Sequence, residues 1–126
     1  MTSREPATAA ARAAARSRIT THVLDATTGR PAEGVVVELS VHDGSGWHPL
    51  DDAATDADGR ISHIGAVDPP AGDYRLRFDT AAWFGARGVE TFYPEVVLTF
   101  RVADDGRHVH APLLLSPFAY STYRGS

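Results

Sequence analysis

From Ile19 onward, apolar residues fall in short runs separated by Gly-, Pro- and Asp-containing turns, a spacing that suits strands better than helices. The run ITTHVLD (19–25) is rich in β-branched residues and predicts a first strand. After the turn-forming ATTGRPAEG, VVVELSVH (35–42) predicts a second. GWHPLDDAAT (46–55) is a third candidate, and DADGR (56–60) carries an Asp-Gly turn ahead of the short run ISHIG. DPPAGD breaks the chain again. In DYRLRFD (73–79), Tyr74, Leu76 and Phe78 alternate with Arg75 and Arg77, as a half-buried antiparallel strand requires. TAAWFGARG (80–88) suits a turn or two of helix packed on a sheet. The last third holds TFYPEVVLTFRVAD, HVHAPLLLSP and FAYSTYRGS. Pro94 pushes the start of the first run to an edge or bulge, and ADDG is expected to form a hairpin turn into the second. The prediction is an all-β fold: an antiparallel β-sandwich of roughly seven or eight short strands with one short helix.

The first eighteen residues, MTSREPATAAARAAARSR, lack this pattern. They read as a disordered N-terminal arm (1–18) ahead of one sandwich domain (19–126), because Ala, Ser and Arg offer little to pack. Arg12, Arg16 and Arg18 interrupt the apolar stretch that a secretory signal would need. Composition narrows the partners further. The chain has 126 residues, of which 43% are hydrophobic, enough for one core. Its 12 Lys and Arg against 16 Asp and Glu leave a mild negative balance, so neither nucleic acid nor an anionic membrane is an expected partner. No apolar run approaches the roughly 20 residues of a membrane-crossing helix, and a cytoplasmic location is expected. With no cysteine, disulfides, thiolate metal sites and Cys nucleophiles are excluded.

Among six histidines, three form a pattern. His22 lies in the first strand, and His108 and His110, two apart, share one face of a late strand. Two such histidines can chelate, but no Asp, Glu or Cys follows at zinc-site spacing, so no metal is expected. His42, His48 and His63 read as surface or hydrogen-bonded sheet residues. Taken alone, Arg60 is a solvated turn residue and Tyr123-Arg124-Gly125-Ser126 a frayed end.

The segments ITTHVLDATTGRPAEGVVVEL and HVHAPLLLSPFAYSTYRGS resemble the opening and closing signatures of the transthyretin-related 5-hydroxyisourate hydrolases. TDADGR, GDYRLRF and FYPEV fit between them in matching order, so the resemblance spans about residue 19 to the end. Transthyretin itself shares much of the LLLSP and YST pattern, but lacks the two signature histidines and the YRGS terminus. The resemblance implies a β-sandwich, a homotetramer built as a dimer of dimers, and sites in the channel between dimers. It implies catalytic His22, Arg60, His110 and Ser126, with His22, Arg60 and Tyr123 binding substrate. The implied reaction opens the six-membered ring of the oxidised purine 5-hydroxyisourate with water, without metal or organic cofactor. Departures from the family pattern are Phe118, Ala119 and Ala111, where Tyr, Gly and Val are common; Ala119 bears on the turn after Pro117. A transthyretin-like binding protein for a small hydrophobic ligand, or a purely structural sandwich domain, would not need the polar His, Arg and Tyr set.

Overall fold

The computed structural model describes residues 16–126. Two sheets face each other. One takes the order β2-β1-β8-β9, from Arg30–Pro31, Ile19–Asp25, Val109–Ser116 and Ala119–Thr122, with β5 (Arg60–Ile61) also paired to β1. The other takes the order β4-β3-β6-β7, from Trp47–Ala54, Val36–His42, Gly72–Phe78 and Val96–Val102.

Period-two alternation decides what lies between the sheets. From one layer Ile19, Val23, Leu113 and Leu115 turn inward, and from the other Val37, Leu39, Tyr74, Leu76, Phe78 and Val96; all are at most 1% exposed. Each such side chain contributes roughly 1.5–3 kcal/mol by leaving water, so these two inner faces fix the register of the sandwich. The expected alternation of Tyr74, Leu76 and Phe78 against Arg75 and Arg77 is thus observed. The helix α1 (Thr80–Gly85) starts where Asp79 accepts a hydrogen bond from the Ala82 amide. It buries Trp83 and Phe84, and the Trp83 indole donates to the Glu33 carbonyl at 2.8 Å.

The sequence-based expectations need three adjustments. Antiparallel pairing is not universal, because β1 and β8 run parallel from Ile19 opposite Val109 to Asp25 opposite Leu115. ADDG does not close a hairpin either: β7 and β8 belong to different sheets, so this turn carries the chain across the sandwich. Two-residue ladder segments, β2 and β5, raise the strand number above the expected seven or eight. The reason lies in turn chemistry, since ATTG and DADG fold their flanks back onto β1.

The expected arm lies outside the described residues over 1–15. Ser17 and Arg18, read as part of it, are packed. The Ser17 hydroxyl accepts from the Ile64 amide at 2.9 Å. The Arg18 guanidinium is buried and donates to the carbonyls of Arg107 and Ala103 and to Asp105, each at 2.6 Å. Among the described residues, no helix is long and apolar enough to cross a membrane.

Candidate active site

The parallel pairing of β1 with β8 brings the two ends of the domain together. Thr20 lies opposite His110 and His22 opposite Pro112, while on the other side of β1 His22 pairs with Arg60. Because inward positions hold the core, Thr20, His22 and His110 occupy the outer face. There a small pocket of about 80 Å³ is lined by Thr20, Arg60, Ile61, His108, His110 and Ser126, among others.

Arg60 is placed by the DADG turn. The Asp56 carboxylate accepts from the amides of Asp58 and Arg60, both at 2.9 Å, which curls the backbone and delivers Arg60 to β1. Gly59 is at φ +75°, and a Cβ there would stand 2.4 Å from the Val23 carbonyl oxygen, so glycine alone fits. The same turn orients His22. Its Nε2 lies 2.9 Å from the Asp58 carbonyl oxygen, which can only accept, so neutral His22 carries its proton on Nε2.

His110 is half-buried. Burial holds its pKa below the ordinary imidazole value, helped by the charges of His108, Arg60 and His22; a hydrogen bond to the Thr20 backbone pulls the other way. Its Nδ1 is 2.7 Å from the Thr20 hydroxyl, and the same hydroxyl is 2.7 Å from Nε2 of His108. The two imidazoles stack with centroids 5.8 Å apart and planes 24° from parallel. His108 lies just before β8, yet it shares the face of His110 as the spacing predicts.

The C-terminal residues are not a frayed end. The Gly125 amide donates to the His110 carbonyl at 2.9 Å, and the Arg124 guanidinium donates to the His108 carbonyl at 3.2 Å. This folds Ser126 into the pocket wall. Gly125 lies against the imidazole itself, since a Cβ there would be 2.5 Å from Cδ2 of His110.

Of the residues anticipated from sequence, Arg60, His110 and Ser126 line one pocket, and His22 stands beside it, opposite Arg60 on β1. Tyr123 takes a different position, lining a larger groove of about 540 Å³ between the β7 and β9 edges; His110 borders both spaces. The larger space is no better a centre for the chemistry, because Arg60, His108 and Ser126 do not line it. Thr20, Asp56 and Gly125 escaped the sequence reading. A buried Thr in a β-branched run looks like any strand residue; for Asp56, its place at the head of the DADG turn was the available signal. His48 pairs with Asp43 at 2.6 Å and His42 packs edge-on against Trp47, as expected of sheet histidines. Ala119 sits in β9 opposite Ser116, inside the hairpin ladder. Among the described residues, no three His, Cys, Asp or Glu side chains gather as a metal-holding group.

A two-layer sandwich with histidines and an arginine gathered on the outer face of one sheet is the architecture of a transthyretin-type domain carrying a polar site. A family model described as the HIUase/Transthyretin family matches residues 19–125, and the chain belongs to that family. The 5-hydroxyisourate hydrolase of Salmonella dublin is 43% identical over 95% of this chain and 89% of its own length. The mouse (Mus musculus) 5-hydroxyisourate hydrolase is 42% identical over 87% of this chain and 96% of its own. Among solved structures, Klebsiella pneumoniae 5-hydroxyisourate hydrolase superposes with a TM-score of 0.76 at 42% identity, covering 86% of this chain and 92% of that one. Transthyretin from Sparus aurata gives a TM-score of 0.81 at 33% identity, covering 87% and 97%.

Proposed function

We propose that this chain is a cofactor-free hydrolase that opens the ring of 5-hydroxyisourate at a cyclic amide, giving 2-oxo-4-hydroxy-4-carboxy-5-ureidoimidazoline in urate breakdown. The activity is that of relatives more than 40% identical over most of the chain. The observation that carries the mechanism is the convergence of His110, Arg60, His22 and Ser126 on one outer face.

Water attack on an amide needs a base, a partner for the developing oxyanion and a fixed geometry. His110 is the base, as its depressed pKa keeps it neutral and able to accept the proton of water. The new C–O bond forms at the carbonyl carbon as the C–N bond of the ring breaks, and the proton taken by His110 passes to the departing nitrogen. Arg60 offers the electron-rich heterocycle a permanent charge and a fork of donors. His22, with Nε2 committed to Asp58, positions or polarises the substrate, and Ser126 orients it through its hydroxyl or carboxylate. Tyr123 meets the substrate from the larger groove across His110.

The site-lining pocket of about 80 Å³ in one chain falls below the roughly 300–1,000 Å³ usual for small-molecule sites. A second copy of the chain supplies the missing walls, in keeping with a homotetramer arranged as a dimer of dimers.

The test adds purified protein to urate and urate oxidase and follows the transient absorbance of hydroxyisourate. The wild-type protein should speed its decay above background, and light scattering should show a tetramer. His110→Ala should lower turnover by about 10²–10⁴-fold, the usual worth of a positioned base. A folded His110→Ala protein of near-native turnover would move the base to His22.

A further inference from the structure

Thr20 is 4% exposed, and its hydroxyl lies within hydrogen-bond distance of the rings of both His108 and His110. A hydroxyl has one proton, so between two neutral imidazoles it donates to one nitrogen and accepts from the other. Two proton arrangements satisfy all three groups. In one, Nδ1–H of His110 donates to Thr20, the Thr20 hydroxyl donates to Nε2 of His108, and His108 keeps its own proton on Nδ1. Nε2 of His110 then carries a free lone pair. In the other, every proton is reversed and Nε2 of His110 bears hydrogen, leaving it unable to act as a base.

We infer that Thr20 is a positioning residue that, with His108 as terminal acceptor, locks His110 in its Nδ1–H form and so frees Nε2 to take the proton of water. This rests on the reading of His110 as the base. The direction follows from that reading, since a base needs Nε2 bare, and two observations hold the network in place. The hydroxyl is buried, so water does not compete for its bonds. The register sets Thr20 directly opposite His110, so the contact is held by the sheet ladder and not by a loop.

When Nε2 of His110 takes a proton, both existing bonds persist: Nδ1–H still donates to Thr20, and Thr20 still donates to His108. No group need turn as charge develops, which is the property of a preorganised site. The titratable and charged groups around His110 are His108, Arg60 and His22, with Arg124 on the His108 carbonyl.

The experiment compares Thr20→Val, Thr20→Ser and His108→Phe with the wild-type protein by hydroxyisourate decay and by ¹⁵N NMR of the histidine rings. In the wild type at neutral pH, His110 should show hydrogen on Nδ1 and none on Nε2. Thr20→Val keeps the β-branched shape but not the hydroxyl; kcat should fall about three- to tenfold, the worth of one neutral hydrogen bond, with KM little changed. The His110 resonances should shift toward the Nε2–H form. Thr20→Ser should restore both readouts. His108→Phe keeps a stacked ring without the acceptor, frees the Thr20 hydroxyl to donate to His110, and should reproduce the loss. A wild-type His110 with its hydrogen on Nε2 overturns the inference, as does Thr20→Val with native kcat and native tautomer. The NMR arm on the wild-type protein decides the matter even if Thr20→Val fails to fold. His110→Gln separates the two readings: native turnover in that variant removes the base assignment itself, whereas an inactive His110→Gln beside a native Thr20→Val removes only the role of Thr20.

Discussion

Replacing Gly125 by Ala places one methyl group where the His110 ring lies. The added carbon would sit 2.5 Å from Cδ2 and 3.3 Å from Cγ of His110, and 3.3 Å from Cγ of Pro112. Non-bonded carbons rest at about 3.5–4.0 Å, so something must yield by about 1 Å or more. Either the imidazole tilts, stretching its 2.7 Å contact with Thr20, or the tail lifts, breaking the 2.9 Å bond from the Gly125 amide and withdrawing Ser126. Both movements displace site residues. A misplacement of about 1 Å can cost on the order of 10²-fold in rate, and kcat of Gly125→Ala should fall on that scale. Stability should change little, since Gly125 is only half-buried, its neighbours in the tail are exposed, and none belongs to the core. The measurement is hydroxyisourate decay under saturating substrate, with circular dichroism and thermal melting as controls and Ser126→Ala to gauge loss of the serine hydroxyl. Turnover within about threefold of wild type would refute the claim that the tail holds the ring.

Further outcomes concern His110 and Arg18. Because only neutral His110 accepts a proton and its pKa is depressed, activity should survive mild acid and fall with a midpoint below the ordinary value of about 6.5; His110→Gln should lose this limb, and a wild-type midpoint above that value would contradict the environment described. The same shift erodes stability as pH falls from the ordinary value toward the depressed one, because the unfolded chain binds the proton first. Arg18→Met removes three donated bonds from a buried guanidinium and should cost about 3 kcal/mol in urea unfolding; a loss under about 0.5 kcal/mol would show that the clamp is dispensable.

Much of this architecture is legible in the chain. The strand β6 reads directly from period-two alternation, β1 and β3 from their β-branched runs, and α1 from the short stretch TAAWFGARG. The parallel pairing of β1 with β8 does not, because alternation says which face a residue takes and nothing about its neighbour strand. Arg18 shows a different failure. It follows a run of Ala, Arg and Ser, so it reads as solvated, while its partners Arg107, Ala103 and Asp105 lie more than eighty positions away. At the site, the residue types of His22, Arg60, His110 and Ser126 were visible through a family pattern. The role of Gly125 was not, since close approach to a ring leaves no trace in composition.

The two strands that build the site also build the core, on alternate residues. In β1, Ile19 and Val23 face inward while Thr20 and His22 face outward; in β8, Val109, Ala111 and Leu113 face inward while His110 faces out. The core residues fix the parallel register that sets Thr20 against His110, and the antiparallel β5 ladder sets His22 against Arg60. Outward positions are therefore free to change without disturbing the sandwich, and inward ones are free to change within volume limits without altering the chemistry. One sandwich can thus carry different outward sets, and the 5-hydroxyisourate hydrolase and the transthyretin that superpose on this chain both keep its backbone path.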